Sequence, residues 1–170
     1  MSLINGMTLK ERMKQPRNHV PLNDAATRVA NWDEVPIGFS IAQARNEASR
    51  CIQCKKPECV EGCPVSINIP KFLMQLELGD VAAAAKIIRE SNFLPASCGR
   101  VCPQDKQCEA VCVVGKKNDP VSIGALERFV ADYEREQKLD RMPEISPDTG
   151  KRVAVIGSGP AGLTAAYELR

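Results

Sequence analysis

Apolar residues recur along most of this chain at helical rather than strand spacing. SIAQARNEASR, residues 40–50, opens on a serine and carries Ile41, Ala44 and Ala48 three and four apart. It predicts a helix capped by Ser40 that delivers the chain to Cys51. In VSINIPKFLMQLELGD, Pro70 suits a first turn, Phe72, Leu73 and Leu76 supply a buried face, and Gly79 is a natural stop. Asp80 is placed to cap VAAAAKIIRESN, so two short antiparallel helices are expected in succession. They would bring the segments on either side of them together. A longer helix follows, capped by Ser122 and running to about Lys138, with Ile123, Leu126, Phe129, Val130 and Tyr133 as its stripe. Residues 1–35 are polar and broken by Pro16 and Pro21, with short helical pieces in TLKERM and LNDAATRVANW.

The pattern changes near the end. RMPEISPDTGK, residues 141–151, has the Pro, Gly and Asp content of a linker. KRVAVIGSGPAGLTAAYELR then reads as an apolar strand, a glycine turn and the start of a helix. A lone βα unit cannot bury its own sheet faces. The expected organisation is therefore a helical domain over 1–140, a linker over 141–151, and a truncated first βα unit of a Rossmann-like dinucleotide domain over 152–170. On this reading the chain is the N-terminal part of a longer protein. VAVIGSGPAG contains G-x-G-x-x-G at Gly157, Gly159 and Gly162, with Pro160 opening the helix. The first glycine permits the tight turn, the second lets backbone approach a pyrophosphate, and the third lets helix and strand pack closely.

Composition narrows the function. Over 170 residues the net charge is +2, and aromatics make up only 4%. There is no basic run and little to stack bases, which argues against nucleic acid. No apolar stretch approaches the length of a membrane span, and no signal peptide is visible, so a cytoplasmic setting is expected. With so few aromatics, the core is expected to lean on aliphatic residues and on something that is not protein.

Eight cysteines fall in two groups. CIQCKKPECVEGCP supplies Cys51, Cys54, Cys59 and Cys63; CGRVCPQDKQCEAVC supplies Cys98, Cys102, Cys108 and Cys112. In a reducing compartment such clusters bind metal or do redox chemistry more often than they form disulfides. The first group is C-x2-C-x4-C-x3-C-P. In two-cluster ferredoxin runs the cysteine before proline ligates the other cluster. Applied crosswise, Cys51, Cys54, Cys59 and Cys112 hold one 4Fe-4S cluster, while Cys63, Cys102, Cys108 and a fourth ligand hold a second. Structural zinc, in a non-redox interaction module, is the competing reading. Only one C-x2-C pair is present, against the two pairs usual for zinc. His19, the single histidine, lies among prolines and is expected to face solvent. No nucleophile–histidine constellation can be assembled. A metal-cluster domain beside a dinucleotide motif favours a flavin, which divides a hydride's electrons into single steps.

EAxRCIQC at 47–54, GCPVSINIPKF at 62–72, AAKIIRESNFLP at 84–95, GRVCP at 99–103, IGALERFVAD at 123–132 and KRVAVIGSGPAGLTAA carry a resemblance. The chain resembles the N-terminal iron–sulfur domain of the NADPH-dependent glutamate synthase small subunit family. That group is related to the N-terminal part of dihydropyrimidine dehydrogenase and to flavin-bearing transhydrogenase and sulfide dehydrogenase subunits. The resemblance implies a helical domain with two 4Fe-4S clusters, followed by a reductase binding FAD and NADPH. It implies electron relay to an FMN-containing large subunit for reductive glutamate formation. A transhydrogenase or sulfide dehydrogenase subunit is the alternative within the group.

The same resemblance reopens the fourth ligand. Many glutamate synthase small subunits have threonine at the position of Cys98. Dihydropyrimidine dehydrogenase has the extra cysteine, yet ligates one cluster through a glutamine that matches Glu127 of IGALERF. Glu127 borders the buried stripe of its helix, so on the resemblance Glu127 is expected as the fourth ligand, with Cys98 as the alternative. Arg100, in CGRVCP, is a candidate to bond cluster sulfurs or nearby carbonyls, and Lys55 and Lys56 are expected to face solvent.

Overall fold

The computed structural model of the chain describes residues 6–139 and 145–170. The first elements are α1 (Leu9–Lys14), α2 (Ala25–Arg28), α3 (Ile41–Ala48) and α4 (Glu58–Glu61). Then come α5 (Ile69–Leu78), α6 (Val81–Arg89), α7 (Pro95–Val101), α8 (Ile123–Glu136) and α9 (Pro160–Leu169). Two short 3-10 turns separate α7 from α8.

Local signals set most of these boundaries. Ser40 and Gln43 form a reciprocal capping box at the start of α3, as Thr8 and Glu11 do for α1. Asn68 caps α5, whose second residue is Pro70. Gly79 ends it at φ 90°, a left-handed turn that glycine adopts without steric cost. Asp80 at once caps α6. Because only a glycine and an aspartate separate them, α5 and α6 pack against each other; α3 packs on α5, and α8 on both α6 and α7.

Phe72, Leu73, Leu76, Ile88, Leu126 and Val130 form the centre of the core. Burying each such side chain contributes about 1.5–3 kcal/mol. Two fully buried ion pairs, which the apolar pattern does not predict, reinforce it. Arg12 joins Glu77 at 2.7 Å and donates to the carbonyls of Ser49 and Cys51. Arg50 joins Glu47 at 2.7 Å and donates to the carbonyls of Gln15, Asp119 and Pro120. Glu47 also accepts from the backbone N–H groups of Asn18 and Ser122. The polar N-terminal segment and the loop before α8 are thus fastened to α3 by hydrogen-bonded charge.

Three expectations are corrected. The Rossmann-like βα unit is absent: the described residues contain no β-strand, and their one isolated bridge joins Leu22 to Pro36. Residues 152–159 precede α9 without strand structure. A strand is stabilised by hydrogen bonds to a neighbour, and no extended segment pairs with this one; Ile156 is 98% exposed. Next, Ser122 stands at the start of α8 but its hydroxyl does not cap it, because that hydroxyl faces the carbonyl of Asn18 and the first-turn N–H of Gly124 donates to Glu109 instead. Last, Ile41 is exposed, leaving Ala44 and Ala48 as the buried face of α3. Within the expected linker, residues 145–151 have neither helix nor strand; 140–144 lie outside the described residues.

Candidate metal centre

Cys51 emerges from α3 into a turn at which Gln53 adopts φ 51°. Left-handed backbone at a non-glycine residue costs about 1–3 kcal/mol and concentrates at functional sites. The Gln53 side chain donates to the carbonyl of Pro70 at 2.9 Å, which ties this turn to α5. Cys54 lies at the end of the turn, Cys59 within α4, and Cys112 at the head of the second 3-10 turn. All four line a single cavity whose other walls include Ile69, Leu73, Val114 and Ile123. Burial pushes the Cys51 and Cys59 thiols up to about 12, and the neighbouring cysteines add to the shift in each. Cys54 is raised by burial and by Cys112.

A second set gathers where two backbones come unusually close. An added Cβ on Gly62 would stand 2.7 Å from the Val111 side chain and 3.1 Å from the Gln107 carbonyl oxygen. Glycine at 62 therefore lets Cys63 approach the segment carrying Cys108. A Cβ on Gly99 would stand 2.6 Å from the Arg128 backbone nitrogen, so Gly99 lets α7, with Cys98 just before it, seat directly on α8 beside Glu127. Cys102 is pushed up to about 11 by burial, then by Cys98, Glu127 and Cys63. Burial likewise pushes Cys108 to about 12, with Glu109, Cys63 and Glu127 contributing. Glu127 is 8% exposed. Its carboxyl is pushed up to about 7 by burial, against the opposing effect of a hydrogen bond from Asn92.

The predicted ligands thus gather in two adjoining neighbourhoods: Cys51, Cys54, Cys59 and Cys112 in one; Cys63, Cys102 and Cys108 with Glu127 and Cys98 in the other, Cys108 also neighbouring Cys59. Among the described residues, no three His, Cys, Asp or Glu side chains converge on a single metal ion. The donors suit a metal that prefers soft ligands: cysteine sulfurs, four of them lining one largely apolar cavity, which must lose their protons to bind. All eight cysteines are free of disulfides.

Other candidates fall outside these sets. Arg100 does not turn toward sulfur; it binds Glu34 at 2.8 Å, Asp132 at 2.7 Å and the carbonyl of Ala96. These carboxylates are stronger partners for a guanidinium than a thiol is. His19, Lys55 and Lys56 are exposed. Gly157 adopts φ 108°, Gly159 precedes α9 and Pro160 opens it, while an added Cβ on Gly162 would strike the carbonyl of Gly157. The glycine turn and helix therefore form without the strand. One participant went unread in the sequence: Asn92, 6% exposed between α6 and α7. Its signal was an asparagine two residues before a backbone N–H it could bond, in NFLP.

Comparison with known proteins finds a family and several relatives. The family described as dihydropyrimidine dehydrogenase domain II, 4Fe-4S cluster, matches residues 28–139. The glutamate synthase (NADPH) small chain of Azospirillum brasilense is 40% identical over 147 residues, covering 86% of this chain and 30% of that protein. The Escherichia coli glutamate synthase (NADPH) small chain is 39% identical over 148 residues, covering 86% and 31%. The NAD-dependent dihydropyrimidine dehydrogenase subunit PreT of Escherichia coli is 39% identical over 137 residues, covering 81% and 33%. The chain spans about a third of the length of these relatives.

Proposed function

This chain belongs to the family of dihydropyrimidine dehydrogenase domain II, 4Fe-4S cluster, and from that footing we propose that it is the electron-relay domain of an NADPH-dependent oxidoreductase of the glutamate synthase small chain kind. The observation that carries the reading is the sorting of the cysteines into two neighbourhoods, one of them a shared cavity lined by Cys51, Cys54, Cys59 and Cys112. These four would hold the first 4Fe-4S cluster. Cys63, Cys102 and Cys108 would hold the second, with Glu127 as fourth ligand and Cys98 as its rival.

When bound, such clusters supply storage for single electrons. This chain's residues supply the thiolates, the apolar walls that exclude water, and the α7–α8 seating that keeps Glu127 beside Cys102. FAD and NADPH would be bound with the remainder of the reductase. Gly157, Gly159 and Gly162 would offer the phosphates an uncluttered approach to the N-terminus of α9. An FMN-containing glutamate synthase large subunit would be the acceptor, in the cytoplasm. Among the described residues no helix is long and apolar enough to cross a membrane.

Anaerobic reconstitution with iron and sulfide tests the reading. The chain should turn brown, hold about eight irons, and lose its visible absorbance on dithionite reduction. A colourless chain that takes up two zincs, and no iron, under the same metal-controlled conditions would sink it.

A further inference from the structure

Asn92 touches both side chains that compete for the last place on the second cluster. Its orientation is fixed by a third group: the backbone N–H of Leu94 donates to its Oδ1 at 3.0 Å. The amide nitrogen is therefore the atom facing Glu127, and it donates to Oε1 at 2.6 Å. The same Oδ1 lies 3.6 Å from the Cys98 sulfur, which reaches it as a weak thiol donor. The Asn92 backbone is itself anchored, its N–H donating to the carbonyl of Ile88 at 2.9 Å. Asn92 and Glu127 are both buried, so water does not readily replace these bonds.

The two contacts run in opposite senses. Glu127 is bonded as an acceptor, while Cys98 is bonded as a donor. A metal ligand must present an unprotonated lone pair. Asn92 thus fixes the rotamer of Glu127 through its amide nitrogen and meets Cys98 only through the weak sulfur contact to its oxygen. Without Asn92, chemistry favours the other choice: Cys98 lies against Cys102, and sulfur is the softer donor for iron. We propose that Asn92 is a positioning residue that selects Glu127 over Cys98 as the second cluster's fourth ligand. The inference rests on the two-cluster reading and on Glu127 as a ligand in it.

Asn92→Ser tests it in the anaerobically reconstituted chain. Serine keeps an oxygen able to bond the Leu94 N–H but is too short to reach Glu127. Alkylation of Cys98 by iodoacetamide is followed by mass spectrometry, alongside iron per chain and the electron paramagnetic resonance spectrum of the reduced protein. In the unsubstituted chain, Cys98 should be alkylated with no loss of iron. In N92S its alkylation should be lost, because a sulfur bound to iron is no longer a free nucleophile. The spectrum of the second cluster should change.

An N92S chain whose alkylation and spectrum match the unsubstituted chain overturns the inference while leaving the ligand assignment intact. A chain with Asn92 present that protects Cys98, and loses half its iron on Cys98→Ser alone, overturns the Glu127 assignment and the inference with it. Far-UV circular dichroism checks folding; if N92S does not fold, N92T decides by the same readouts.

Discussion

Gly99→Ala should separate the helices that build the second neighbourhood. The added methyl would lie 2.6 Å from the Arg128 nitrogen, 2.8 Å from its Cα and 2.8 Å from its Cβ. These are atoms of a helix backbone and its root, so no side-chain rotation relieves the clash. Reaching ordinary contact near 3.4 Å requires α7 and α8 to part by roughly 0.8 Å at this point, since interiors are already close-packed. Two effects oppose each other. Alanine favours a helix interior over glycine by about 1 kcal/mol, whereas overpacking a seated interface costs about 1–3 kcal/mol. With three contacts below 3.0 Å, the overpacking should lie toward the upper end of its range, for a net loss of up to about 2 kcal/mol. Urea unfolding of the cluster-free chain by circular dichroism measures it. Ser97→Ala, on the exposed side of α7, is the control and should be neutral or slightly stabilising. After reconstitution, G99A should retain the first cluster and lose much of the second, falling toward about four irons per chain. Unchanged stability together with full iron would refute the claim that this close approach builds the site.

Glu47→Ala should cost about 3–5 kcal/mol, because it strands the buried Arg50 charge; a loss under about 1 kcal/mol in urea would contradict the pairing. Burial opposes the Glu47 charge, but hydrogen bonds from Asn18 and Ser122 and the field of Arg50 outweigh it and hold the carboxyl below its ordinary range. Its contribution should therefore be fully present above that range and vanish as pH falls through the lowered value, and Glu47→Gln should flatten that acid limb of the stability curve. Glu127 carries the opposite sign in the cluster-free chain. With its carboxyl pushed up to about 7, stability should decline as pH rises from the ordinary carboxylate value to about 7, and E127Q should remove that decline. Thiol reactivity gives a separate check. Cys51, Cys59 and Cys108, each pushed up to about 12, should alkylate roughly a thousandfold more slowly at pH 8 in the folded cluster-free chain than in urea. Equal rates would show that these thiols are not buried.

What could be read in advance follows the range of the interactions involved. Gly79 and Asp80 mark a helix end and the next helix start because their neighbours along the chain decide both. The glycine turn and α9 belong to the same local class, and they form where the strand beside them does not. A strand needs a partner that no residue of VAVIG can supply. Buried Arg12 and Arg50 look, in sequence, like ordinary charges of a polar N-terminal region and a helix end. Glu77 becomes identifiable as the partner of Arg12 only once α1 and α5 are packed. Glu47 lies three positions before Arg50, and what the sequence hides there is their burial and the carbonyls that Arg50 reaches. The cysteine spacing is intermediate. It separates one set from another through the proline after Cys63, yet does not by itself decide between Cys98 and Glu127, since they lie 29 positions apart and meet only across the α7–α8 seam. Asn92 lies six positions before Cys98 and 35 before Glu127. Choosing between the two candidates is thus a tertiary property, held by one amide whose local bond to Leu94 fixes which of its ends each rival meets.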